Sequence, residues 1–345
     1  MTLSIARTGE LPGAKQRTRI QRFVGNNAFW LLLIDAVLVV LFTAVSINHT
    51  FISQANIKNL MLDSGEGLLL GIAIAFLLGA GEFDISLGSN LILASVVSGM
   101  LAQKVASAGI GVVFAVSIAA AIVSGVVVGA VNAFIVTRLK VNSLIATLAM
   151  LGVVSGVAYI VSGGTDVVGL PAVLQNDFGV ATLLGIPAPF LLAFLAWVIA
   201  AIVLRRTAFG LHLLAMGSSR AAAERAGLDT RRKLLLLFMA AGALAGMAGF
   251  IDITRFGATN IAGHTEDSLS AITAAVIGGT MLEGGVVSMT GLLGGVVLAV
   301  ILANGLVVIN VSAYYQLIVV GVILVAAVSL DQLRQSGGGP RFRAR

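Results

Sequence analysis

Long apolar stretches separated by short polar connections dominate the hydrophobic pattern of this chain. A helix that crosses the roughly 30 Å hydrocarbon core of a bilayer needs about 17 to 25 apolar residues. Ten stretches approach or reach that length, near 28–47, 64–81, 86–103, 110–137, 142–161, 189–204, 234–254, 267–281, 288–309 and 314–331. The eighth is the shortest. The pattern predicts an all-α fold, a polytopic membrane bundle of about ten transmembrane helices.

The distribution of lysine and arginine predicts how this bundle is oriented. Positively charged residues are retained on the cytoplasmic side of a membrane. With the N-terminus inside, all but three of the 21 lysines and arginines fall in cytoplasmic segments, and the exceptions are Lys58, Lys104 and Arg255. Both termini are therefore predicted to be cytoplasmic, and residues 163–188 are predicted to form a periplasmic loop.

A simple domain organisation follows from the same pattern. Residues 1–27 form a basic cytoplasmic tail, 28–331 a single transmembrane domain, and 332–345 a second basic tail. The tail at 1–27 resembles the start of a signal peptide, but the apolar run after it is too long for one and is interpreted as a first transmembrane helix.

Composition excludes several functions. Only 10% of residues are charged, against about 25% in soluble domains. The basic residues lie between apolar spans rather than on one soluble face, which argues against nucleic-acid binding. Cysteine is absent, and His49, His212 and His264 lack ligand spacing, so no metal site is predicted and the histidines are interpreted as surface or loop residues. No cluster typical of an enzyme is present.

The sequence contains no energy source of its own. A P-loop needs a Gly-Lys pair, and none occurs, so ATP hydrolysis would require another subunit. An ion-coupled carrier would instead show paired ionisable groups within its spans. Asp35 is the one acid predicted at depth, without a basic partner, and a structural role bonded inside the bundle is favoured for it. Ion coupling is the weaker alternative.

The longest cytoplasmic connection, residues 205–233, contains a short helix. Ser219 is a plausible N-cap, residues 220–226 are alanine-rich, and Gly227 is a left-handed stop. This helix is either an amphipathic connector resting on lipid headgroups or a docking helix for a cytoplasmic partner.

Two glycine-broken junctions lie between apolar spans. Residues 79–89 carry two acids, of which Asp84 is expected to cap the next helix with help from Ser86. The functional interpretation is a helix break that lines a pathway, with Asn90 on the pathway side, because irregular backbone at membrane depth needs water or protein beside it. The glycines of residues 271–285 suit either close helix packing or a repeat-built transporter.

Together these segments resemble the permease subunits of ribose- and xylose-type ABC sugar importers, from about residue 55 to Asp331. The motifs match in order and spacing. They are Gly81, Asp84, Ser86, Gly88 and Ser89; Arg205-Arg206-Thr207 with Phe209-Gly210; Gly217, Ala222-Ala223 and Gly227; and residues 275–280.

The resemblance implies a multi-pass permease of the bacterial inner membrane that imports a monosaccharide, a pentose, a hexose or a related small polyol. Two permease copies or paralogues would pair as a dimer in the lipid bilayer, above ATPase subunits that bind ATP and Mg, while this chain binds no cofactor. A periplasmic or lipid-anchored sugar-binding protein would deliver the sugar.

Specific residues take roles in this picture. Those expected to couple to the ATPase are Gly217, Ser219, Arg220, Ala222, Ala223, Arg225 and Gly227. Those expected on the translocation pathway are Glu82, Asp84, Ser86, Ser89 and Asn90. The structural glycines are Gly81, Gly88, Gly278 and Gly279.

Departures from the family pattern bear on substrate and partner. Glu82 replaces a glycine, Ser219 an asparagine and Ala221 a glutamate, and Val286-Val287 replaces an arginine-glycine pair. The alternatives are an ABC permease for branched-chain amino acids or nucleosides and, more remotely, an ion-coupled secondary carrier.

Overall fold

A computed structural model describes residues 27–312 together with Tyr315, Ile318, Gly321, Val322 and Val325. The tails 1–26 and 326–345 and most of the predicted tenth span lie outside the described residues, so the predictions made for them are not tested.

The described residues are almost entirely helical. In chain order the helices are α1 Asn27–Val45, α2 Gln54–Gly79, α3 Leu87–Lys104, α4 Ile110–Arg138, α5 Ser143–Ser162, α6 Ala188–Arg206, α7 Ala208–Ser218, α8 Arg220–Arg225, α9 Thr230–Phe256, α10 Asp267–Ile277 and α11 Met289–Val308. A 3-10 segment, Ile47–Ile52, joins α1 to α2. The predicted helical bundle is therefore confirmed.

Each of the first nine predicted spans coincides with a helix. Among the described residues, six helices are long and apolar enough to cross a membrane, namely α2, α4, α5, α6, α9 and α11. α10 has 11 residues, or about 16 Å at 1.5 Å per residue, and covers only part of a bilayer core. Residues 278–288 continue from it as a glycine-rich connection. The count of ten spans stays a prediction.

The connection at residues 163–188 is folded. It contains a one-turn helix Ala172–Leu174, a π-helical turn Gln175–Gly179, and a hairpin of strands β1 Thr182–Leu183 and β2 Ile186–Pro187. The Gln175 side-chain amide donates to the Arg255 carbonyl over 2.9 Å. This segment therefore packs against the end of α9.

The core is built around α9, which packs against α2, α3 and α4. Gly125 and Gly129 of α4 lie directly against Gly242 and Phe238 of α9, and a Cβ atom at either glycine would overlap a carbonyl group of the other helix. Both helices carry glycines four residues apart at this contact, 125 and 129 on α4 and 242 and 246 on α9. Small residues at this spacing let helix backbones approach closely in lipid.

The remaining elements surround this pair. α2 is buried along most of its length, whereas α4, α5 and α6 expose large apolar side chains on their outer faces. Such exposed apolar surface is what lipid contact requires. α2 and α9 thus form the centre of the bundle, and both reach its two ends.

Replacing Gly242 with alanine should destabilise the bundle, because the added methyl group meets the Gly125 carbonyl. Overpacking of this kind costs about 1–3 kcal/mol. The matched control is Gly152→Ala on α5, where a Cβ atom meets nothing within 4 Å and helix propensity favours alanine by up to about 1 kcal/mol. Thermal unfolding in detergent measures both. If the Gly242→Ala variant had the same melting temperature as the Gly152→Ala control, the packing assignment would be contradicted.

Candidate functional site

The predicted short helix in residues 205–233 is present. Ser219 accepts a hydrogen bond from the Ala222 amide over 3.3 Å and caps α8, which ends before Gly227 at φ 85°. The Asp229 carboxylate accepts from the Arg232 amide over 3.0 Å and caps α9. We call the end of the bundle that carries residues 205–233 the basic end.

The residues predicted to couple to an ATPase divide by exposure. Ser219, Arg220, Ala222, Arg225 and Gly227 are exposed at the basic end. Ala223 is 4% exposed and joins the hydrophobic core. Gly217 lies against Gly79 and Gly285. Ala223 and Gly217 therefore pack the helices together, while the five exposed residues are available to a partner.

Three glycine-rich segments meet beside α8. α2 ends at Gly79, Gly81 has φ 76°, and the Gly285 amide donates to the Gly79 carbonyl over 3.0 Å. Gly217 fits between these two segments with no room for a side chain. The start of the junction 79–89 thus lies at the basic end, in contact with the connection after α10.

The other structural glycines permit close backbone contacts. A Cβ atom at Gly88 would overlap the His264 carbonyl, and one at Gly278 would overlap Gly291. Gly279 has φ 91°, a conformation that favours glycine.

Asp84 is the centre of a buried hydrogen-bond network. Its Oδ1 accepts from the Ser86 amide over 2.9 Å and from the Ser86 hydroxyl over 2.5 Å, and its Oδ2 accepts from the Asn132 side-chain amide over 3.0 Å. Asp84 and Ser86 lie together ahead of α3, but the N-cap residue of α3 is Ser86 rather than Asp84, and its side chain makes no capping hydrogen bond. Asn132 of α4, which no sequence motif indicates, completes the network.

The neighbouring polar residues are also bonded within the protein. The Ser89 hydroxyl donates to the Ser86 carbonyl over 2.8 Å, and the Asn90 side-chain amide donates to the Gly125 carbonyl over 3.3 Å. Asp84, Ser86, Ser89 and Asn90 are each at most 1% exposed. In this conformation they stabilise the helix break, and their place on a pathway stays a prediction.

An ion pair joins the two sets of residues that were predicted separately. Arg220 Nη1 of α8 lies 2.9 Å from Glu82 Oε1 in the junction 79–89. Glu224 Oε1 accepts from the Thr230 hydroxyl over 2.7 Å, which ties α8 to the start of α9. Glu82 is 6% exposed, so Arg220 provides its main charge compensation. The pair therefore connects α8 to the junction 79–89.

A second polar cluster lies further along α9, away from α8. Arg255 Nη1 of α9 is 2.6 Å from Asp63 Oδ1 and 3.5 Å from Glu66 Oε1 on α2. His264 Nε2 is 3.1 Å from Asp252 Oδ1, and its Nδ1 is 2.7 Å from Asp267 Oδ2. These contacts connect α2, α9 and the start of α10. We call these six residues the acidic cluster.

His264 lies in a loop, in agreement with its interpretation as a surface or loop residue, although its side chain is only 12% exposed between two carboxylates. The interpretation of Asp35 is wrong. Asp35 is 6% exposed, but Glu66 and Asp252 are also buried, so Asp35 is not the single deep acid. Neither Asp35 carboxylate oxygen has a hydrogen bond among the described residues. The signal in the sequence for the contact between His264 and Asp267 was their spacing of three residues.

The charge state of His264 follows from its neighbours. Burial alone would lower its pKa, but hydrogen bonds to Asp252 and Asp267, together with their charges, outweigh burial and raise the pKa of His264 to about 11. His264 in the connection between α9 and α10 is therefore an imidazolium at neutral pH and donates from both ring nitrogens.

Comparison with known proteins identifies the class. Residues 56–328 match the family described as the branched-chain amino acid transport system / permease component. The chain belongs to this family of permeases.

Several curated relatives align over most of this chain. The L-arabinose ABC transporter permease protein of Azospirillum brasilense is 33% identical over 301 residues, 87% of each chain. The ribose import permease protein of Escherichia coli is 30% identical over 87% of this chain and 92% of its own. The D-allose transport system permease protein of Escherichia coli is 30% identical over 88% and 93%. No solved structure is significantly similar.

Reversing either charge of the Glu82–Arg220 pair should lower stability, and reversing both should restore it. Glu82→Arg or Arg220→Glu places like charges about 3 Å apart. Because Arg220 is half exposed, the coupling between the two sites is expected to be about 1 kcal/mol or less. Thermal unfolding of the single and double variants measures it. The mismatched double variant Glu82→Arg/Arg225→Glu should not be rescued, and equal rescue by both doubles would contradict the pairing.

The stability contributed by His264 should depend on pH. Because the pKa of His264 is higher in the folded state than in the unfolded state, its protonation stabilises the folded protein. This stabilisation is complete below the unfolded pKa of about 6.5 and is lost as the pH rises towards about 11. The difference in melting temperature between the wild type and His264→Gln should therefore narrow from pH 6 to pH 10. A difference that stays constant or widens would show that His264 is not held as an imidazolium.

Proposed function

We propose that this chain is the transmembrane permease subunit of a binding-protein-dependent ABC importer that carries a monosaccharide across the bacterial inner membrane. The observation that carries this proposal is that each of the three relatives compared is named for a sugar permease and aligns over at least 87% of the chain. The family description mentions branched-chain amino acids, but the relatives favour a pentose or hexose.

The energy comes from a separate ATPase. The chain has no P-loop, so ATP and Mg are bound by the partner subunit, and a sugar-binding protein delivers the substrate. The permease works as a dimer with a second copy or a paralogue. This chain catalyses no covalent reaction.

The basic end faces the cytoplasm in this proposal. Ten spans with both termini inside leave only Lys58, Lys104 and Arg255 on the outer side. Arg255 of the acidic cluster then lies at the periplasmic end of α9, and the cluster extends from there towards Gly88. Residues 28–331 form the transmembrane domain between two cytoplasmic tails.

Coupling takes place at α8. Its exposed residues Ser219, Arg220, Ala222, Arg225 and Gly227 contact the ATPase, while Gly217 and Ala223 hold the helix on the bundle. When the ATPase subunits close on ATP, α8 moves, and the Arg220–Glu82 contact transmits this movement to the junction 79–89. Glu82, Asp84, Ser86, Ser89 and Asn90 then rearrange as the pathway switches between inward and outward openings.

Proteoliposomes test the function. They contain the permease with its co-purified ATPase and binding protein, and labelled D-ribose, L-arabinose and D-allose are supplied in turn. Uptake of at least one sugar that requires both ATP and the binding protein is expected. Uptake by the permease alone under an imposed ion gradient would favour a secondary carrier, and uptake of leucine or a nucleoside instead of sugar would favour the other ABC alternatives.

A bulky charge on the exposed face of α8 should block coupling without disturbing the fold. Ala222→Arg is expected to reduce ATPase stimulation by sugar and binding protein at least tenfold, because Ala222 is exposed and Ala223 beside it is not. The matched control is Ala108→Arg, an exposed alanine in the connection between α3 and α4. Melting temperature verifies folding. Unchanged stimulation in the Ala222→Arg complex would contradict docking at α8.

A further inference from the structure

A cavity of about 380 Å³ lies between α2, α10 and α11 and is bordered by the acidic cluster. Ligand pockets are typically about 300–1,000 Å³. Its two sides differ in chemistry. One is apolar, with Leu70, Ile277, Leu298, Ala299 and Val300, and the other is polar, with Asp63, Glu66, Arg255, Asn260, His264 and Ser270.

The ion pairs do not satisfy every buried oxygen of the cluster. Arg255 lies close to Asp63 and only 3.5 Å from Glu66 Oε1, which accepts no hydrogen bond among the described residues. Glu66 is 9% exposed and lines the cavity. Asp252 Oδ2, at a fully buried residue that does not line the cavity, also lacks a hydrogen-bond partner among the described residues. Buried polar atoms are usually bonded, so a purely structural set of ion pairs does not explain these two oxygens.

The charges of the cluster restrict what the cavity accepts. Asp63, Asp252 and Asp267 outnumber the cations Arg255 and His264 without any charge on Glu66, so the cluster has a net negative charge that disfavours an anionic ligand. Among the described residues, no three carboxylate or imidazole groups are placed to hold a metal ion. A ligand hydroxyl can hydrogen-bond to the Glu66 carboxyl group, while Asn260 and Ser270 offer both donors and acceptors.

A sugar ring combines these requirements. Its hydroxyls hydrogen-bond to the polar side, and its C–H face packs on the apolar side. We infer that this cavity binds a neutral polyhydroxylated ligand, the transported sugar, with Glu66 Oε1 as a hydrogen-bond acceptor, and that it rejects acidic sugars. The identity of the ligand rests on the proposed function, whereas the binding site rests on the cavity and on Glu66 Oε1, the lining oxygen that accepts no hydrogen bond among the described residues.

Binding to the permease alone tests this inference. The permease in lipid nanodiscs, without ATPase or binding protein, is titrated with D-ribose, L-arabinose and D-allose, and saturation-transfer difference NMR measures contact with each sugar. At least one sugar is expected to bind. D-galactose and D-galacturonate, which differ by oxidation at one carbon, are added as competitors, and only the neutral sugar should compete.

Three variants locate the site. Glu66→Leu should weaken binding about tenfold or more, because a buried hydrogen bond to the ligand is lost, and Glu66→Gln, which keeps an acceptor oxygen, should weaken it less. Ala299→Phe fills the cavity from the apolar side without changing a charge. Asp177→Asn, an exposed acid outside the cavity, is the control and should bind as the wild type does.

The outcomes separate this inference from the proposed function. No sugar binding by a permease that imports sugar in proteoliposomes would overturn the inference alone, and so would unchanged binding in folded Glu66→Leu and Ala299→Phe. Displacement by D-galacturonate as strong as by D-galactose would also overturn it. If Glu66→Leu does not fold, Ala299→Phe decides. If sugar binds with the expected variant effects but ATP does not drive uptake, the inferred binding site is supported and the proposed importer function is contradicted.

Discussion

The close approach of α4 and α9 is the contact on which the rest of the bundle depends. Glycines four residues apart on each helix bring one backbone against the other, and no larger side chain fits between them. In lipid, where apolar side chains gain little from leaving the solvent, such close packing is a main source of helix association. It fixes α9 at the centre, and α2, α3 and α4 take their positions against it.

Because α9 extends from one end of the bundle to the other, it connects both polar clusters. At its start, Thr230 bonds to Glu224 of α8. Near its end, Asp252 and Arg255 hold His264 and Asp63. A movement of α8 therefore acts on the helix that also carries the acidic cluster. α9 therefore connects the proposed ATPase-docking helix to the proposed sugar site.

The Glu82–Arg220 pair gives a structural reason for one departure from the family pattern. Glu82 stands where the resembling permeases have glycine, and its carboxylate would be buried without compensation. Arg220 of α8 provides the opposite charge over 2.9 Å. The pair also explains why the pathway and coupling predictions, made from separate motifs, meet in one place.

The sequence by itself determined the helical bundle, the short capped helix at α8 and the glycine-broken junctions, because hydrophobic length, N-capping and left-handed glycine are local properties. It did not reveal the acidic cluster, since Asp63, Glu66, Asp252, Arg255, His264 and Asp267 are spread over some 200 residues and each is unremarkable alone. Only the packing of α2, α9 and α10 brings them together and buries His264 between carboxylates. Likewise, Ala223 and Ala222 are equivalent in sequence, and only tertiary packing turns one inward and leaves the other exposed.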